Sequence, residues 1–283
     1  MQQVSSLVEL SGGEIIALDG KCLRRSMDKS SNLSPLYMVS AWAANNQLVL
    51  GQEKVDLKSN EITAIPKLLE RLDIKGSVVT MDAMGCQTKI TKQITDNGAD
   101  YMINLKGNQG NLHKDVKDFF ESDKTSPPVS HETFDAGHGR FETRTIRATS
   151  DIGWLQNEHP KWAKLTSIVA VTSKRELKTK TTEDTRYFIS SLDATNPEKL
   201  GFVARAHWGI ENRLHWVLDY AFDEDSQRTR AGNSAANMAI IRHLALNLLK
   251  SEETAREGMK TKRLKAGWDD DYMLKVLAKS ACF

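Results

Sequence analysis

Cysteine is scarce in this chain. Three occur in 283 residues, Cys22, Cys86 and Cys282. The number is odd and the spacing matches no metal-ligand pattern, which excludes a disulfide-built scaffold and fits reduced thiols in the cytoplasm. Long apolar runs are missing too. No stretch reaches the ~20 residues needed to span a bilayer, and the N-terminal MQQVSSLVEL lacks the basic-then-apolar order of a signal peptide. Nor does one sign of charge dominate: a net charge of +2 does not mark the whole molecule as a polyanion binder. No internal repeat or low-complexity tract is visible. What these absences leave is a soluble globular chain, long enough for one large domain or two small ones, with an ordinary 40% of hydrophobic residues.

Charge is unevenly placed. Residues 136–180 hold nine Lys or Arg against four Asp or Glu, so the basic surplus sits mid-chain. The first half reads as a sheet with crossovers. Residues 14–19 and 37–43 are strand-like, and the Asn45-Asn46 turn makes 37–55 a hairpin. A helix follows from Ser59 as N-cap, then strand 77–82, helix 86–97, strand 101–105 and helix 109–121, an alternation that implies parallel strands. Residues 123–190 break the pattern and read as a β-rich insertion. Helices then run over about 197–221 and 234–250.

Three carboxylates stand out. Asp19 ends the run Ile15-Ile16-Ala17-Leu18, and Asp82 follows Val78-Val79-Thr80-Met81. Acids are unfavourable inside strands but common at strand C-terminal ends, where parallel sheets collect ligands. Glu211 sits in HWGIENRLHW. At about 100° per residue, Ile210, Leu214, Val217 and Ala221 make one apolar stripe with Glu211 at its edge and Leu218 closer in. A lone glutamate there is usually a solvated helix residue; two strand-end aspartates shift the balance towards a divalent-metal site for phosphodiester chemistry. His207 and His215 flank Glu211 at four residues on either side, but lie about 12 Å apart along the axis, too far to share a zinc ion.

Several polar residues suit phosphate. Lys106, Asn108 and Gln109 lie in KGNQG between a strand and a helix, where backbone amides and a lysine fit an anion. A plain strand-to-helix turn explains them equally well. Lys21 and Arg24 follow Asp19, and His138, Arg140 and Arg144 lie in the basic insertion. Each is read either as a phosphate contact or as a solvated loop residue. Trp208 and Trp216 are read as packing residues, with base stacking as the alternative. Asp223-Glu224-Asp225 reads as a solvated or capping run.

The segments IALDGKCLR, VTMDAMGCQTKI, YMINLKGNQGNL, HGRFETR and HWGIENRLHWVLDYAFDED, with SQRTRAGNSAANMAIIRHLALNLLK after them, resemble the DDE transposases of bacterial insertion sequences, of the H-repeat-associated type. The resemblance covers nearly the whole chain from about residue 12. It implies one catalytic domain over residues 1–283, an α/β fold with a ribonuclease H-like mixed sheet flanked by helices, and a β-rich insertion at 123–190 before the last catalytic helix. It implies Asp19, Asp82 and Glu211 as the catalytic triad, holding Mg²⁺ or, in its place, Mn²⁺, with the first and fourth strands side by side. The implied partners are double-stranded DNA at element ends and target, and a second copy of the chain in the DNA complex. Three departures accompany it. Ala204, His207 and Leu218 occupy the offsets where relatives often carry Tyr, Arg and Lys. Cys22 and Arg25 replace small or hydroxyl residues. Relatives also carry a region ahead of the first catalytic strand, which makes an N-terminally shortened copy one expectation of the resemblance. A DNA-binding remnant that no longer transposes and a plain ribonuclease H-like nuclease are the rival expectations.

Overall fold

The computed structural model describes residues 13–27, 34–56, 60–122, 129–137 and 139–279. Its strands are β1 (Ile15–Leu23), β2 (Leu36–Ala43), β3 (Leu48–Lys54), β4 (Val78–Met81), β5 (Asp100–Leu105), β6 (Val129–Gly137), β7 (Arg140–Thr149), β8 (Ser167–Leu177) and β9 (Lys180–Ser190). Its helices are α1 (Glu61–Leu69), α2 (Thr88–Asp96), α3 (Gly110–Glu121), α4 (Gly153–Glu158), α5 (Pro197–Ile210), α6 (Trp216–Phe222), α7 (Ser234–Ser251), α8 (Met259–Trp268) and α9 (Asp270–Ala278). The architecture is mixed α/β, with sheet flanked by helices, as the sequence led us to expect. The chain divides into two compact units, one of Met1–Asp73 with Trp208–Phe283 and one of Ile74–His207.

In the first unit β1, β2 and β3 form an antiparallel meander. The expected hairpin is present, and a buried glutamate holds its turn. Glu14, fully buried, accepts hydrogen bonds from the backbone N–H of Asn45 at 2.8 Å and from the Asn46 side-chain amide at 2.7 Å. Strand alternation, with a bulge that pairs Gly51 with Ala41 but Val49 with Trp42, gives the two faces different partners. Gly51 lies under Leu68 and Leu72, which places α1 and its following turn on one face. Ala17, Trp42 and Val49 point the other way, into a core with Ile210, Leu214, Leu218, Leu246 and Leu249. The expected cap Ser59 lies outside the described residues. Asn60 caps α1, accepting from the Ile62 N–H.

An edge strand exposes backbone groups that need partners. On β3 the Asn247 side chain supplies them: it accepts from the Val49 N–H at 3.0 Å and donates to the Val49 carbonyl at 2.9 Å, all buried.

In the second unit β4 and β5 are parallel, as expected from the alternation. The residues read as an insertion do not stand apart from this sheet. β9 pairs antiparallel with β5 through Tyr187–Ser190, and β8, β7 and β6 follow in order. Gly201 brings α5 down onto β7, because a Cβ there would come within 2.8 Å of Ile146 Cγ1. The chain returns to the first unit within α5.

Asn247→Leu should destabilise the protein by about 2–4 kcal/mol, since it strands a buried N–H and a buried carbonyl. Urea unfolding of wild type and variant, compared at constant slope, measures this; a shift below about 0.5 kcal/mol would show that Val49 finds other partners.

Candidate active-site residues

Asp19 does not end its strand. The fully buried stretch stops at Leu18, but the backbone keeps pairing with β2 as far as Leu23, with Asp19 opposite Ser40 and Lys21 opposite Met38. The acid is therefore mid-strand, at the point where burial gives way to partial exposure. Its parity with Ala17 puts it on the face that packs against α6 and α7. His215 meets it there, Nδ1 lying 3.4 Å from Asp19 Oδ2.

Lys21, two residues on and on the same face, does not point to solvent as a phosphate contact would. Its ammonium donates to Asp219, to Glu224 Oε2 at 2.9 Å and to the His215 carbonyl at 3.4 Å. Glu224 in turn lies 3.7 Å from Arg242 Nη1. The acidic run 223–225 is correspondingly not a solvated tail. Glu224 is buried, and Asp225 faces Arg24 at 3.4 Å. Arg24 stays exposed.

Glu211 opens a π turn, Glu211–His215, that joins α5 to α6, and it is exposed. The π turn corrects the expected helix phase. Ile210 and Leu214 are buried as expected, but the extra residue in the turn moves the buried position from Val217 to Leu218. Such turns recur at functional sites.

Asp82 does follow its strand directly. β4 is buried throughout, and the Asp82 Oδ1 accepts from the Met84 N–H at 2.9 Å and the Gly85 N–H at 3.4 Å, capping a short 3₁₀ turn. Asn108 and Gln109 are committed to the same turn. Asn108 Nδ2 donates to the Ala83 carbonyl at 2.6 Å, and Gln109 Nε2 to the Cys86 carbonyl at 2.7 Å. These bonds hold the Asp82 loop, as the reading of a strand-to-helix turn allows. Gly107 and Gly110 have open space where a Cβ would stand and no positive φ, so no close approach requires glycine there. Lys106 is exposed. Cys86 is buried beside Asp82, and burial first, then that charge, pushes its thiol up to about 12.

His207 sits 3.3 Å from Thr80 Oγ1, with Nδ1 as the contacting atom. Burial lowers its pKa to about 4; Arg186 and Lys106 reinforce the shift and Asp82 opposes it. The residue at the offset where relatives carry arginine is thus a neutral imidazole at pH 7. In the first unit His243 falls to about 3, chiefly by burial, with His215, Lys21 and Arg242 adding to it.

The insertion spends part of its positive charge internally. Glu142, buried, takes Arg144 Nη2 at 2.6 Å and Arg175 Nε at 3.3 Å. Arg144 is mostly covered, whereas Arg140 is exposed. His138 lies outside the described residues. Among the described residues, one group of acids and histidine has ligand atoms mutually within 4.8 Å: Asp115, Glu158 and His159. None of the three expected acids belongs to it. His215, His207, Asp219 and Arg242 were not singled out for these contacts from sequence. The only signal was helical spacing, with His215 and Asp219 one turn apart on the side of Glu211.

Residues 10–248 match the transposase DDE domain family, and the chain belongs to it. Within that family it is of the H-repeat-associated kind. It is 42% identical to "Putative transposase YncI" of Escherichia coli O157:H7, over 95% of this chain and 70% of that one. It is 40% identical to "H repeat-associated putative transposase YhhI" of Escherichia coli (strain K12), over 94% of this chain and 72% of the relative. "Putative protein YbfL" of the same strain matches with the same identity and coverage. No described helix is long and apolar enough to cross a membrane.

Two predictions follow from these surroundings. Lys21→Met should cost about 3–5 kcal/mol, because Glu224 loses a buried partner; a thermal midpoint equal to that of wild type would show that the carboxylates relax to water. The histidines set an acid limit. Unfolded, each titrates near its ordinary 6.5, and folded only near 4 or 3. Between those values the unfolded chain binds the extra protons, so stability is complete above about pH 6.5 and falls as pH drops towards 4. Urea midpoints at pH 7 and pH 5 should differ more in wild type than in a His207→Gln, His243→Gln double variant.

Proposed function

We propose that the chain cuts and joins DNA phosphodiester bonds during transposition, acting as one ribonuclease H-like catalytic domain with residues 123–190 as its insertion. Asp19, Asp82 and Glu211 are its catalytic acids, and double-stranded DNA is its substrate. The carrying observation is the family match, which spans all three acids in order. The local settings support the assignment. Asp82 is fixed by a cap that uses one carboxylate oxygen, and the cation beside Asp19 is held by Asp219 and Glu224.

The donor set fits the metal that the family implies. Three carboxylates offer hard oxygen ligands and no thiol or neutral imidazole, which suits Mg²⁺ or Mn²⁺. Bound there, a divalent ion lowers the pKa of the attacking water or 3′-hydroxyl and offsets charge on the leaving oxygen. The protein's own groups do the rest. Asp19, Asp82 and Glu211 bind the ion, the Met84 and Gly85 N–H groups orient Asp82, and exposed Lys106, Arg24 and Arg140 hold phosphates. His207, neutral, contributes a dipole and no charge.

Purified Asp19→Ala, Asp82→Ala and Glu211→Ala variants should each lose Mg²⁺-dependent cleavage of a labelled duplex while keeping wild-type circular dichroism. The double variants should be no worse than the singles, since the acids act as one unit. Substantial cleavage by any single variant would sink the assignment of that residue.

A further inference from the structure

Trp216 and Tyr220 stand one turn apart on α6, directly after the turn that carries Glu211, and 59% and 52% of their surface is exposed. Their rings are stacked, with centroids 4.9 Å apart and planes 7° from parallel. Lys260 of α8 sets its ammonium 4.9 Å from the centre of the Tyr220 ring. The other side of this helix supplies the core through Leu214, Leu218 and Ala221. Aromatic surface of this size kept in water costs free energy, which makes a stacked, uncovered pair worth explaining.

We propose that the pair is a stacking platform for an unpaired base of the DNA strand processed at Glu211. The proposal rests on the transposase reading above. Tyr220 already has the indole and the Lys260 ammonium against its ring, so the surface left for a third ring is the outer face of Trp216. A flat π face accepts any base without hydrogen-bond readout. Its border is cationic. Arg213 is exposed three residues before Trp216, and Lys260 of α8 stands over the Tyr220 ring; further along α8 the ammonium of Lys262 is buried against Glu252 and does not join this border. These charges suit the phosphates on either side of a base. They oppose a second copy docking on the same patch, because a two-fold contact would set Arg213 and Lys260 against their own images. A paired duplex hides its base faces, so the platform selects strand ends that have left the stack.

The test titrates the full-length chain, in Ca²⁺ so that no cutting follows, with two DNAs of one sequence. One is a blunt duplex and the other carries an unpaired 2-aminopurine in a 3′ overhang. Wild type should prefer the overhang and quench its fluorescence. Trp216→Leu should lower that preference about ten-fold and abolish the quench, and Trp216→Phe should retain most of both. Circular dichroism and the thermal midpoint confirm that each variant is folded. Wild-type preference and quench in Trp216→Leu would overturn the platform, as would a sedimentation result in which that variant turns a dimer into a monomer with the preference intact. Mg²⁺-dependent cleavage by the same wild-type preparation separates the two ideas. Cleavage with an overhang preference indifferent to Trp216 rejects the platform alone, whereas a wild type that neither cuts nor binds either DNA rejects both.

Discussion

One buried ammonium holds the first unit's polar interior together. Lys21 on β1 reaches Asp219 on α6 and Glu224 in the turn after it, and Glu224 carries the contact on to Arg242 of α7. α6 and the turn after it, about two hundred residues downstream of β1, are therefore tied to that strand by one side chain, and α7 joins through Glu224. The arrangement is stable only when complete. Desolvating these charges costs several kcal/mol per ion, and mutual attraction plus hydrogen bonds offset this only with every partner in place. Such a network adds little to net stability. What it contributes is register, because sliding α6 by one turn would bury Asp219 without its cation.

That constraint explains which parts of the chain could be read from its residues. Apolar runs and a hairpin turn revealed β1 to β5 because each is buried on at least one face. The distal halves of β6 to β9 were harder. Residues 180–184 are exposed one after another, so no alternation betrays a strand there, and what holds them is backbone pairing. The position of Asp82 was legible for a related reason: it follows four buried residues without a break. Asp19 misled in one respect, since the end of burial was taken for the end of the strand. Lys21, Asn108 and Gln109 have internal partners that the sequence does not announce. Nothing in a sequence distinguishes a lysine destined for Asp219 and Glu224 from one that meets a phosphate, because the partner lies almost two hundred residues away.

Positive charge in the second unit is arranged more sparingly than composition suggests. Arg144 and Arg175 are engaged by Glu142, Lys174 by Glu176, and Arg147 lies over the Phe120 ring. His207 is held neutral by burial and by the positive charges of Arg186 and Lys106, against the opposing charge of Asp82. A polyanion meeting this unit would therefore be held by exposed side chains such as Lys106 and Arg140. Contacts of that kind position a backbone and carry no sequence information.

The π turn decides what Glu211 can do. His215 contacts Asp19 and Asp219 contacts Lys21, so one helical step of four residues matches two residues of β1. The match is geometric: a helix turn advances about 5.4 Å and two strand residues about 6.6 Å. Continued backwards in regular α-helix, the same line would carry Glu211 over Ala17. Ala17 is fully buried and packs with Ile210 and Leu214, and a carboxylate there would be desolvated with no partner. The additional residue in the turn rotates Glu211 off that line into solvent while leaving Ile210 and Leu214 on the core side. The result is a glutamate exposed at the start of the turn, on the same helix that meets Asp19 through His215.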